Sequence, residues 1–104
     1  MNANKAIKNE IIALLAKKKL TRKQLLAMLK MKFDVEDRTM RRLIVELIEE
    51  GYCIASSGTG YELIRTPERL NETVRYINSY IIDMRHRIET LKRNFENQQQ
   101  LKLF

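Results

Sequence analysis

A mainly helical fold with one small β-hairpin and a long final helix is what this chain of 104 residues predicts. Three observations carry that expectation. Apolar residues recur at helical spacing in successive short stretches. Three Gly and one Pro are too few turn-formers for a sandwich or a barrel. After Pro67 a 4-3 apolar repeat then continues to Phe95 with no breaker. A chain of this length forms one core rather than two independent ones, which argues against a cofactor-binding α/β enzyme.

The first helix spans about Asn4 to Lys18, with Ile7, Ile11, Leu14 and Leu15 on one face. Thr21, three before Gln24, makes a capping box, and Leu20 and Leu25 are spaced to pack across it, so a second helix starts at Arg22 and runs to about Lys30. Leu25, Leu26 and Leu29 point inward, and Phe33 closes the corner. A third helix opens at Glu36 or Asp37, where carboxylates favour the positive end of the helix dipole, and ends at Gly51. Its expected buried face is Met40, Leu43, Ile44, Leu47 and Ile48. Tyr52 to Ala55 and Tyr61 to Ile64 are short β-prone runs around a turn at Ser56 to Gly60, a hairpin in which Tyr61 and Leu63 face the core and Cys53 is a small apolar strand residue. Thr66, Pro67 and Glu68 then open the last helix with a cap, a proline at its first position and an early carboxylate.

Lys and Arg number 20 against 13 Asp and Glu, a net charge of +7 that suits a polyanionic partner. Residues 1–32 hold nine basic and one acidic residue, so attraction to an anion is expected to be strongest near the first two helices. One cysteine cannot form an internal disulfide, and Cys53 and His86 alone cannot build a zinc site, so a reducing, cytoplasmic location and no metal are expected. The longest apolar run, Ile11 to Ala16, is too short to enter a membrane, and the amino terminus lacks a signal-peptide pattern. There is no paired nucleophile and base, no Gly-rich phosphate loop and no acidic metal cluster, so neither catalysis nor a cofactor is expected. His86 falls on the polar side of the last helix, an ordinary surface position.

Three helices followed by a hairpin is the order of a winged helix-turn-helix. The stretch Glu36-Asp37-Arg38-Thr39-Met40-Arg41-Arg42-Leu43-Ile44, with Glu49-Glu50-Gly51-Tyr52 and Gly60-Tyr61-Glu62-Leu63 after it, resembles the helix-turn-helix type 11, biotin-repressor-like family over residues 4–65. The chain departs from that pattern in carrying Glu36 or Asp37 where the family has a Ser-type cap. No ligase or ligand-sensing domain of the kind many members carry is expected, so the resemblance implies no small-molecule effector. The resemblance implies a winged helix-turn-helix over residues 1–65 and a partner in double-stranded DNA; residues 66–104 are expected, from their own apolar repeat, to form a long dimerising helix whose last few residues fray.

The residues of the third helix suit that partner. At 100° per residue, Arg38, Arg42, Val45 and Glu49 point away from the buried face, and Arg41 and Thr39 flank them. Arg can donate two hydrogen bonds to a guanine edge, and a Thr methyl can meet thymine. Because the amino-terminal part of such a helix approaches the bases, Arg38, Thr39, Arg41 and Arg42 are the candidate base readers. Lys17, Lys18, Lys19, Thr21, Arg22 and Lys23, around the start of the second helix, are candidate phosphate contacts. Ser57 and Thr59 at the wing tip are hydroxyl-bearing candidates in a loop without Lys or Arg, so the wing's part in DNA contact is expected to be modest.

In the last helix Leu70, Val74, Ile77, Ile81, Met84, Ile88, Leu91 and Phe95 form a coiled-coil seam, with Val74, Ile81, Ile88 and Phe95 at a positions and the others at d. Glu68 to Gln98 would extend about 45 Å at 1.5 Å per residue, longer than one small domain can cover, so a homodimer or a higher oligomer is expected. β-Branched residues at three a positions favour two parallel strands, while Arg87 facing Lys92 across such a pair opposes them, which leaves strand orientation open. A helix folded back over its own domain is the monomeric alternative. For the whole chain the alternative is a protein-interaction adaptor that binds no DNA, and RNA binding through the same basic face is a third reading.

Overall fold

The computed structural model describes residues 3–101. Six elements follow in order: α1 Ala3–Lys17, α2 Arg22–Lys30, α3 Asp37–Glu49, β1 Ile54–Ser57, β2 Gly60–Leu63 and α4 Pro67–Gln100. The chain divides into two compact units between Thr66 and Pro67. The fraying expected of the last few residues falls largely outside the described ones.

The first unit is built on one apolar core. Ile7, Ile11 and Leu15 come from α1, Leu25 and Leu29 from α2, and Met40, Leu43, Ile44 and Leu47 from α3. Leu14 and Leu26, expected to face inward, lie on the edges of their stripes and are half-buried. Ile48 departs further from expectation, at 42% exposed. It lies about 80° round α3 from Met40, beyond the arc that α1 covers. Val35, a single apolar residue between Asp34 and Glu36, is buried and seals the corner between α2 and α3.

Local chemistry sets the helix ends. Gln24 N–H donates to Thr21 Oγ1 at 3.1 Å and Thr21 N–H to Gln24 Oε1 at 3.0 Å, the reciprocal capping box that starts α2. Glu36 caps α3 without a side-chain hydrogen bond, leaving Asp37 in the first turn as its favourable charge. At the far end Gly51, with φ +114°, lets Tyr52 N–H reach the Leu47 carbonyl at 3.0 Å and Gly51 N–H the Ile48 carbonyl at 3.1 Å. The Arg65 guanidinium donates to the Ala16 carbonyl at the carboxy-terminal end of α1, a cation where the dipole is negative.

The antiparallel hairpin pairs Ile54 with Leu63 and Ser57 with Gly60, so its turn is only Gly58-Thr59. The strands therefore include Ser56 and Ser57, which the sequence reading assigns to the turn, while Tyr52 and Cys53 precede β1 and Cys53 is exposed. Leu20 joins the sheet on the outer edge of β2. Its N–H donates to the Tyr61 carbonyl at 3.1 Å and it accepts from Tyr61 N–H at 2.8 Å, so the α1–α2 connection adds a one-residue bridge to the sheet. Tyr61 is buried beside it and Leu63 packs on the core, and burial pushes the Tyr61 phenol above its ordinary pKa.

The second unit is α4, 34 residues in length. None of its described side chains is buried. Leu70, Val74, Ile77, Ile81, Ile88, Leu91 and Phe95 are each between 43% and 63% exposed, Met84 is half-buried, and Tyr76, Tyr80 and Ile82 are exposed beside them. His86 is exposed, as expected of its polar face. Among the described residues no helix is long and apolar enough to cross a membrane.

Candidate nucleic-acid interface

Leu20 divides the basic run between α1 and α2. Because its side chain is buried and its backbone is bonded to Tyr61, the residues on either side of it emerge into different places. Thr21, Arg22 and Lys23 line a cleft of about 540 Å³ with Arg41 of α3 and with Ser56, Ser57, Gly58, Gly60 and Tyr61 of the hairpin. Lys17, Lys18 and Lys19 line a separate cavity of about 200 Å³ with Arg65 and Glu62. What the sequence presents as one cluster of cations lines two separate cavities.

The first cleft can hold a phosphate-sized anion. Three cations reach it from two helices, and the start of α2 and the Ser56 and Ser57 hydroxyls add donors. Asp37 organises the guanidinium groups: its Oδ2 lies 3.0 Å from Arg41 Nε and its Oδ1 3.6 Å from Arg22 Nε. Both pairs are solvent-exposed, so they hold the arginines in place at a cost of only about 0–1 kcal/mol to exchange for a phosphate.

On α3 the outward face carries Arg38, Arg42, Val45 and Glu49 as the periodicity predicts, and Arg41 is exposed on its flank. Thr39 is half-buried on the other flank. Arg42 is tied to Glu46 at 3.0 Å, and Glu46 also lies 3.0 Å from Lys8 of α1. The hydrogen bond from Lys8 holds the Glu46 carboxyl below its ordinary pKa, and the bonds to Glu50 and Glu46 raise the Lys8 ammonium above its own. Among the described residues Arg38 has no ion pair, so its guanidinium can bond to a ligand without giving one up. Glu46, Glu49 and Glu50 make the far end of α3 acidic, which leaves the amino-terminal half as the face open to an anion.

The hairpin tip gains a cation that its own sequence lacks. Lys19 Nζ donates to Thr59 Oγ1 at 2.9 Å, and Thr59 Oγ1 lies 2.8 Å from Ser57 Oγ. Forty residues separate Lys19 from Thr59, so no local pattern announces the contact. Ser57 and Thr59 are therefore already bonded to each other, and the charge at the tip comes from Lys19.

The candidate dimer residues Leu70, Val74, Ile77, Ile81, Met84, Ile88, Leu91 and Phe95 lie on α4 and are described with that unit. No family model, no curated protein and no solved structure matches the chain.

If the two cation groups both meet backbone phosphates, Lys18→Gln together with Lys23→Gln weakens every duplex alike. The slope of log K against log salt then becomes shallower by about 1 to 2, because fewer counterions are released. Fluorescence anisotropy on two unrelated duplexes checks this, and an unchanged slope returns both lysines to the solvated surface.

Proposed function

We propose that this protein binds double-stranded DNA sequence-specifically as a winged helix-turn-helix, with α3 in the major groove, and that α4 joins two copies as a coiled coil. It would act as a transcriptional regulator or as an accessory DNA-binding factor. The observation that carries the reading is the cleft in which Arg22, Lys23 and Arg41 converge beside the exposed amino-terminal half of α3. Phosphates held there would set the register, and Arg38 and Arg42 would meet base edges. Lys19 at the hairpin tip would add a further backbone contact.

Self-association follows from the seam. Each of its side chains, about half exposed on α4, gains on the order of 1 kcal/mol when covered. Helices in proteins draw most of their stability from packing an apolar face rather than from intrinsic propensity. Two linked binding units also bind two half-sites more tightly than either alone.

Selection of bound sequences from random duplexes tests DNA binding and specificity together. Against the selected site Arg38→Ala is expected to cost about 1 to 3 kcal/mol, and less against random DNA, because only the cognate base makes the paired hydrogen bonds. Equal losses on both would make Arg38 a phosphate contact, and the absence of any enriched sequence would leave the protein-interaction reading.

A further inference from the structure

We infer that α4 pairs with α4 of a second copy in the antiparallel sense, with Ile81 opposite Met84 of the other chain; the inference rests on the proposed dimer and assigns its geometry. The residues that flank the seam distinguish the two senses of pairing. At e positions stand Asn71, Asn78, Arg85 and Lys92, and at g positions Thr73, Tyr80, Arg87 and Asn94, all outside the a and d rows. A parallel pair sets each g residue against the e residue five further along the partner. That brings Arg87 against Lys92, twice by symmetry, with no carboxylate among the flanking residues to offset it.

An antiparallel pair changes every one of these neighbours, since e then faces e and g faces g. One register engages the whole seam: Leu70 with Phe95, Val74 with Leu91, Ile77 with Ile88, and Ile81 with Met84. In that register Arg85 meets Asn78, Lys92 meets Asn71 and Asn94 meets Thr73. Arg87 meets Tyr80, whose ring face can accept a cation. No like charges face each other. Sliding the helices by one heptad either sets Arg85 against its own copy or leaves Leu91 and Phe95 outside the seam.

The wider charge pattern agrees. Residues 85–93 carry four Lys or Arg and one Glu, while 72–80 carry one Arg and one Glu. A parallel pair lays the two basic segments side by side. The antiparallel register lays each against the near-neutral segment of the other chain, and it also opposes the two helix dipoles.

Glu72, Ser79, His86 and Arg93 occupy successive exposed f positions, so labels placed there share one lateral offset and differ only along the axis. The test uses the full chain with Cys53→Ser and one of Glu72→Cys, Ser79→Cys, His86→Cys or Arg93→Cys. Each variant is spin-labelled and measured by pulsed electron resonance, after sedimentation has established the dimer. At 1.5 Å per residue the antiparallel register separates the two labels along the axis by about 31 Å at positions 72 and 93 and by about 10 Å at 79 and 86. The label distances at the outer pair should then exceed those at the inner pair by about 10 to 15 Å, for an interaxial distance near 10 Å. Four equal distances would overturn the antiparallel assignment and leave the dimer standing, whereas a chain that sediments as a monomer at tens of micromolar would overturn the dimer itself.

Discussion

Replacing Ile81 and Ile88 together by Asp is expected to convert the protein to a monomer and to weaken its binding to a two-half-site duplex by about 100-fold or more. Both residues are a-position members of the seam, 43% and 52% exposed on α4, and in the proposed dimer the second copy would cover them. Two carboxylates in that position must either be desolvated without a partner or keep the helices apart, and separation is the cheaper outcome. The loss in DNA affinity follows because the second half-site is then met from free solution instead of at the high effective concentration a dimer provides. Helicity should fall as well, since packing of the apolar face is the main source of helix stability. Sedimentation equilibrium, circular dichroism and anisotropy titration read the three effects. Unchanged sedimentation would mean that the stripe is covered within its own chain.

The second large effect is expected at Gly60. Its φ is +127°, and a Cβ there would collide with the Leu20 carbonyl oxygen and lie 2.8 Å from Thr21 Cα, both of them backbone. Gly60→Ala must therefore displace the bridge between Leu20 and Tyr61, and with it the hairpin wall of the cleft. Strain and overpacking together are expected to destabilise the first unit by about 2 to 4 kcal/mol, a fall of roughly 10 to 25 °C in Tm. Gly51 supplies a graded control: its φ is +114° but a Cβ would meet nothing within 4 Å, so Gly51→Ala should cost only about 1 to 2 kcal/mol. Thermal unfolding followed by circular dichroism ranks the two. Equal costs would mean that the close approach of Gly60 to the α1–α2 connection contributes nothing to the fold.

The elements most legible in the sequence are those that a few adjacent residues determine. The capping box of Thr21 and Gln24 places the start of α2 at Arg22, and Gly51 marks the end of α3, because each supplies the hydrogen bonds or backbone freedom of its own turn. Long-range contacts are less legible. Ser56 and Ser57 look like turn residues, yet they are strand because the turn is only Gly58-Thr59, which pairs them with Tyr61 and Gly60. Val35 has no apolar neighbours in the chain to mark it as core, and Ile48 fits the periodicity of α3 but lies beyond the arc that is covered.

The candidate interface divides in the same way. Helical periodicity alone presents Arg38, Arg41 and Arg42 outward, which is where the structure places them. It cannot show that Arg41 shares a cleft with Arg22 and Lys23, that Lys19 supplies the charge of the hairpin tip, or that Arg38 alone among these arginines has no carboxylate partner among the described residues. The first two of those relations depend on the packing of the α1–α2 connection against the hairpin, which brings residues forty apart into contact.

Measuring the affinity for duplex DNA from about 50 to 200 mM salt tests the proposed binding at its first step, because phosphate contact is what the proposed base reading and hairpin contact both depend on. With some five phosphates neutralised per subunit, log K should fall against log salt with a slope of about −4 to −5 for each subunit engaged. A folded protein that binds no duplex at about 50 mM salt, or one whose affinity does not change with salt, would contradict the account.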